Sequence, residues 1–227
     1  MSKHLQIEIE RLKKRVLAIG VTVIEAIQKA LLALEARRAE IASQVMEGDK
    51  QVDTAEVELE EECLKLLALY QPVAEDLRFI TAVMKINNDL ERMGDEAVNI
   101  AEHASFLSQN NPITVPPQLS AITAAAMRMV RESLDAFVQG DAQAARHICA
   151  EDDEVDALNR EIINAVWRMM QDDPQTVERA THLFSVSRHL ERIADHATNI
   201  AEDVVYMVEG KIIRHHFSDY SRQPENE

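Results

Sequence analysis

The chain has 227 residues, 46% of them hydrophobic and only 4% aromatic, with five glycines, six prolines and a formal net charge of −16. This composition predicts helices around an aliphatic core, in one large domain or two of about 100 residues each. The charge argues against nucleic acid as a partner, because a phosphate backbone attracts basic surfaces.

The N-terminus, Met1-Ser-Lys-His-Leu-Gln-Ile-Glu, carries charge where a signal peptide needs an apolar core. No apolar run is expected to be long enough to span a bilayer. A soluble, cytoplasmic protein is expected, peripheral to a membrane only through partners. Val16, Ile19, Val23, Ile27, Ala30, Leu31 and Leu34 follow helical spacing, predicting a first helix over 5–36. Arg11, Lys13, Lys14 and Arg15 read as its solvated face. A break should fall near Arg37-Arg38, though no local signal marks it, and a second helix follows over 38–70. Pro72 opens the turn to a third helix over 73–108, because proline fits the first turn of a helix and breaks its interior.

Gln109-Asn-Asn-Pro-Ile-Thr-Val-Pro-Pro117 holds three of the six prolines and reads as a linker. Ile122, Ala126, Met129, Val130, Leu134 and Phe137 are again helically spaced, predicting a helix over 118–138. Gly140-Asp141 pairs a helix stop with an N-cap. Helices over 141–171 and 175–209 follow, separated at Pro174. Trp167, Met169 and Met170 are expected in the core. Cys63 and Cys149 match no metal spacing and suit a reducing compartment.

The chain is written twice. Leu90-Glu-Arg-Met-Gly-Asp-Glu-Ala-Val-Asn-Ile-Ala-Glu102 recurs as Leu190-Glu-Arg-Ile-Ala-Asp-His-Ala-Thr-Asn-Ile-Ala-Glu202, with nine of thirteen positions identical. The expected division is a first three-helix bundle over 1–108, a linker over 109–117, a second bundle over 118–214 and a polar tail over 215–227. The fold class is all-α, six helices in two repeats.

Four pairs of acids stand four residues apart: Asp49 with Asp53, Glu91 with Asp95, Asp152 with Asp156, and Glu191 with Asp195. Each pair shares a helix face and costs its helix roughly 0.2–0.5 kcal/mol in repulsion. Four pairs at matching places in two repeats suggest that a cation offsets that cost. Asp53 and Glu91 each lie 19 residues from Pro72, and Asp49 and Asp95 each lie 23 from it. Antiparallel helices joined at that turn put equal counts at equal height. In the second half Asp156 and Glu191 lie 18 and 17 residues from Pro174, and Asp152 and Asp195 lie 22 and 21 from it. Each half should thus gather four carboxylates, which raise one another's pKa or bind cations. All-oxygen ligands suit Mg, Mn, Ca or iron, with Zn also accepted. Asn99, Glu102, Asn199 and Glu202 follow on the same stripes as candidate outer ligands or supporting contacts.

At these residues the sequence resembles the PhoU family. The resemblance runs over essentially the whole chain. It rests on Gln71-Pro-Val-Ala-Glu-Asp-Leu-Arg78, on Asp89-Leu-Glu-Arg-Met-Gly-Asp95 with its echo at 190–195, and on the acidic pairs at 49–53 and 152–156. Asp172-Asp-Pro-Gln-Thr-Val177 departs from the Gln-Pro-Val-Ala form. The resemblance implies two three-helix bundles with pseudo-twofold symmetry and metal clusters, often of iron, at the acidic motifs. It implies a cytosolic, non-enzymatic regulator, frequently a homodimer. That regulator links the Pst phosphate ABC transporter, through its ATPase PstB, to the sensor kinase PhoR, and represses the starvation response.

Two other classes fit less well. A ferritin-like di-iron enzyme needs Glu-x-x-His, and none of the eight histidines has an acid three residues before it. A phosphotransfer bundle would use His189 or His196. The repeat places Asp89 and Glu96 at those positions, so the histidines lie outside the shared pattern. A metal-free helical adaptor differs from the favoured reading only at the acidic sites.

Overall fold

The computed structural model describes residues 3–213; the expected polar tail lies outside them. Six α-helices run in order: α1 (Lys3–Ala36), α2 (Ala39–Tyr70), α3 (Ala74–Gln109), α4 (Gln118–Gln139), α5 (Ala142–Asp172) and α6 (Val177–Glu209). A single 3₁₀ turn, Pro174–Thr176, precedes α6, and no strand occurs among the described residues. Each boundary falls within two residues of its expected place.

The helix ends show why. Gly140 takes the left-handed conformation (φ 64°) and ends α4. The Asp141 carboxylate then accepts from the backbone N–H groups of Gln143 and Ala144, capping α5. The α1–α2 break is different, since Arg37 adopts φ 54° without being glycine. Its guanidinium donates to the carbonyls of Ser108 and Asn110 at the end of α3. That bend is held by tertiary contact, which leaves no local mark in the sequence.

Helices α1, α2 and α3 pack as one bundle, and α4, α5 and α6 as the other. The halves meet chiefly along α3 and α6. These two run antiparallel: Arg78 Nε donates to the Met207 carbonyl near one end, and His103 meets His182 near the other. Val16, Val23, Ile27, Ile86, Leu90, Ile122, Met129, Leu190 and Ile200 lie in one continuous buried cluster.

Two expectations are corrected. Trp167 is 67% exposed rather than in the core, because the residue before it, Val166, takes the inward position; Met169 and Met170 do pack partly against the core. By length and composition α1 could cross a membrane, against the expectation that no apolar run is long enough. Its apolar stripe, including Val16, Val23, Ile27 and Ala30, is instead buried in the bundle.

Candidate metal centres and the joint between the halves

In the first half, α2 presents Asp49 and Asp53 to α3, which presents Glu91 and Asp95. Asp49 Oδ1 lies against Gly94, 3.6 Å from where a Cβ would stand. A Cβ at position 94 would meet this carboxylate and Val52 at ordinary van der Waals distance, which suits Ala194 at the equivalent place in the second repeat. Burial, then Asp53 and Asp95, push the Asp49 carboxyl above its usual range. Burial and Asp95 raise that of Glu91; Arg92 opposes, while Glu56 and Asp53 add to the rise. The Arg92 guanidinium stands 3.5 Å from Glu91 and 3.6 Å from Asp95. The four acids expected from residue counting therefore feel one another across the two helices.

The second half repeats the arrangement on α5 and α6. One edge of Asp195 is exposed and protein crowds the rest. This desolvation, then the charges of Asp152, Glu191 and Asp156, push its carboxyl up to about 6, against the pull of His196. Burial and Asp156 raise Asp152, whose Oδ1 accepts from Thr198 at 3.4 Å. Arg188 Nη1 lies 2.8 and 2.6 Å from the two Glu191 oxygens.

The donor chemistry, four mutually repelling carboxylates per half, fits hard cations. Among the described residues, however, no three His, Cys, Asp or Glu side chains converge closely enough to hold an ion. The backbone gathers the acids into two patches without closing them on a point.

The four candidate outer residues divide. Asn99 donates to Glu96 at 3.5 Å and Asn199 to Asp89 at 3.2 Å, so both serve the contact between the halves rather than the patches. Their positions, four residues after Asp95 and Asp195, lie where the acidic stripe grades into the α3–α6 face. Glu102 is exposed. Glu202 and Asp152, after burial, help push the Cys149 thiol up to about 12.

The largest polar feature not expected from the sequence is that joint. His196 Nδ1 meets Asp89 Oδ1 at 2.8 Å, and His189 Nδ1 meets Glu96 Oε2 at 2.5 Å. Arg192 adds a second contact to Glu96 at 3.0 Å. Burial works to raise the Glu96 carboxyl, but the His189 hydrogen bond and charge, then Arg192 and Asn99, hold it below its usual range. His103 extends the chain, 3.3 Å from His189 and 2.8 Å from His182, with His182 stacked on Phe106. A carboxylate only accepts, so His189 Nδ1 carries the proton. With neutral rings, His103 Nε2–H then donates to His189 Nε2 and His182 Nδ1–H donates to His103 Nδ1. Further along, Lys85 Nζ pairs with Asp203 at 3.1 Å, Asp203 being 1% exposed. The signal was present in the repeat: positions 89 and 96 are acids in the first half, and their equivalents 189 and 196 are both histidine. Antiparallel packing sets each acid against the other's equivalent.

Comparison with known proteins agrees with this architecture. The PhoU domain family matches residues 16–104 and again 119–204, one domain per bundle. A phosphate-specific transport system accessory protein PhoU homolog of Aquifex aeolicus is 41% identical over 208 residues, covering 92% of this chain and 94% of that protein. The crystal structure of PhoU from Pseudomonas aeruginosa superposes with a TM-score of 0.87 at 36% identity, covering 91% of this chain and 99% of that one. The phosphate transport system regulatory protein PhoU from Streptococcus pneumoniae gives 0.86 at 31%, with 92% and 98% covered. These relatives are named as accessory and regulatory proteins, not enzymes. With two matching domains in two equivalent bundles, the chain belongs to the PhoU family.

Proposed function

We propose that this protein is a cytosolic negative regulator of phosphate-starvation signalling. It couples the Pst phosphate ABC transporter, through the ATPase PstB, to the sensor kinase PhoR, and holds metal ions at a carboxylate cluster in each half. Homodimer formation is part of the proposal. The observation that carries the metal reading is the duplicated crowding of four carboxylates between α2 and α3 and between α5 and α6, with raised carboxyl pKa values in both. Iron is the first choice of ion, with Mn, Mg, Ca and Zn as alternatives that share its tolerance of oxygen ligands. A bound cation would relieve the repulsion among these acids. Asp49, Asp53, Glu91 and Asp95 would hold it in the first half, and Asp152, Asp156, Glu191 and Asp195 in the second.

The test compares metal content per chain in the parent, in Glu91→Gln/Asp95→Asn and in Asp152→Asn/Asp195→Asn, each purified without chelator or a metal-affinity tag. Each double variant should lose the ions of its own half and keep the other's. Content unchanged in both would put the ions elsewhere, and a parent without metal would leave the second reading, a metal-free helical adaptor, favoured by the lack of any three converging ligands among the described residues. The partner reading is tested separately, by recovering PstB and PhoR with the protein from cells grown at high phosphate. Failure to recover either would sink it.

A further inference from the structure

The turn between α2 and α3 is built unlike its counterpart between α5 and α6. In the second half the turn is polar and self-capped. The Asp173 carboxylate accepts from the Gln175 N–H at 3.0 Å, and the Thr176 hydroxyl donates to the Met169 and Asp173 carbonyls. In the first half, Val73 stands at the N-cap of α3 with no side-chain hydrogen bond. Gln71 and Ala74 both take left-handed φ, 45° and 50°, although neither is glycine. The apolar side chains point outward: Val73 is 75% exposed, Leu69 66% and Leu77 42%. The second turn joins equivalent helices with a hydrogen-bonded cap and no positive φ, although Val177, the counterpart of Leu77, is likewise 44% exposed there. Strained backbone and exposed apolar side chains together mark a surface kept for contact.

That tip runs into a groove of about 380 Å³ where the start of α3 meets the ends of α4 and α6. Phe79, Phe137, Val138 and Val208 supply its apolar lining, and Glu75 and Asp76 border it beside the tip. Among the described residues, Lys13 is the one cation lining it. Glu75 and Asp76 also lie in the first turn of α3. An occupant must therefore bring apolar side chains flanked by positive charge. The acidic border, Glu75 and Asp76, would repel the same border of a second copy and the headgroups of an anionic membrane.

We infer that the α2–α3 tip and its adjoining groove form a docking surface for a protein partner that presents apolar side chains bordered by lysine or arginine. Resting on the function proposed above, that partner belongs to the phosphate transport system. The contact centres on Leu69, Val73 and Leu77, with Glu75 and Asp76 setting orientation.

The probe is the purified phosphate transporter in lipid nanodiscs, titrated with the full chain. Leu69→Asp/Val73→Asp should weaken binding roughly tenfold or more, the loss expected when desolvated anchors at an interface centre are removed. Aspartate at position 73 is a favourable N-cap, so the variant should melt no lower than the parent, separating lost contact from lost fold. Glu75→Lys/Asp76→Lys should also weaken binding, while Trp167→Asp, at the opposite end of the molecule, should leave it unchanged. Parent-like binding by Leu69→Asp/Val73→Asp overturns the docking surface and leaves the partner reading standing. Binding by none of the proteins, the parent included, overturns both. If that variant only converts a dimer to monomer in sedimentation and binds the transporter normally, the surface is a self-contact and the inference is wrong.

Discussion

Asp195 stands where three charges of its own sign converge, and its carboxyl titrates near 6 rather than near the usual aspartate value. A carboxyl raised in the folded state favours folding at pH below its unfolded value, and that advantage is gone once pH exceeds the folded value. In metal-free protein, Asp195→Asn should therefore stabilise at pH 7.5, by about 1 kcal/mol after allowance for solvent screening. The gain should shrink to a small fraction near pH 4, where the folded carboxyl is protonated and the unfolded one about half so. Melting curves in chelator at the two pH values check this; a gain at pH 4 equal to that at pH 7.5 would mean that charge is not its cause. His103 works with the opposite sign. Burial, then His189 and His182, lower its pKa to about 4, and burial lowers that of His182 against the pull of Glu178. The unfolded ring takes its proton at about 6.5, so stability is full above that value and falls as pH drops toward 4. Replacing His103 with Phe, which keeps the ring stacking and removes the titration, should flatten the fall in melting temperature between pH 7 and 5. A variant as pH-sensitive as the parent would show that the sensitivity lies elsewhere.

Among the elements, α3 and α6 carry the acidic patches and the joint between the halves on opposite stripes. Glu91 and Asp95 face α2 while Asp89 and Glu96 face α6, and the repeat copies the first stripe and inverts the second. Inversion gives each acid a cationic or hydrogen-bonding partner across the joint, where copying would have set acid against acid. Glu96 is nearly buried, its side chain 3% exposed. Removing its charge weakens the His189 hydrogen bond while the half-exposed Arg192 turns to solvent, at an expected cost of about 1.5–3 kcal/mol for Glu96→Gln. Exchanging the pair, Glu96→His with His189→Glu, should recover part of a loss that either change alone incurs. The cycle is read by chemical denaturation, and strictly additive losses would show no coupling between the two positions.

The same helices show what the sequence made legible. Hydrophobic spacing, proline turns and the Gly140-Asp141 stop are local, so the helices and the 49/95 and 53/91 pairings followed from counting residues. The Arg37 bend was invisible because carbonyls at the end of α3 hold it, and Trp167 was misplaced because one residue of helix rotation separates core from solvent. His189 and His196 fall outside the repeat, and that departure from it is what pairs them with Glu96 and Asp89. Comparing the repeats for complementary charge, as well as identity, would have located the joint. Asn99 and Asn199 sit between two stripes, and spacing alone could not say which one they serve.

On the scale of the whole molecule, two bundles of like architecture are held together by side chains rather than by the segment joining them. The α3–α6 joint is backed by Phe79 stacked on Phe137 at 5.9 Å and by the approach of α1 to α4. At Gly20 a Cβ would fall 2.6 Å from Leu134 Cδ1, so the small residue is what lets α4 come close. The linker is tied at its ends, Arg179 donating to the carbonyls of Asn111 and Pro112, Arg37 to that of Asn110, and Leu119 and Ser120 N–H to those of Pro116 and Pro117. Thr114 and Val115 are exposed. Six Gly and Ser residues inserted between them would lengthen the loop without touching those bonds, and loop-closure entropy grows only slowly with length, so the cost should be about 1 kcal/mol or less. The inserted protein should still unfold in a single calorimetric transition, because the continuous core crosses the joint. Glu96→Gln combined with Asp89→Asn should split that transition or broaden it toward two, each half then melting on its own. If the insertion itself splits the transition while the joint variants leave it single, the linker rather than the α3–α6 contact couples the halves.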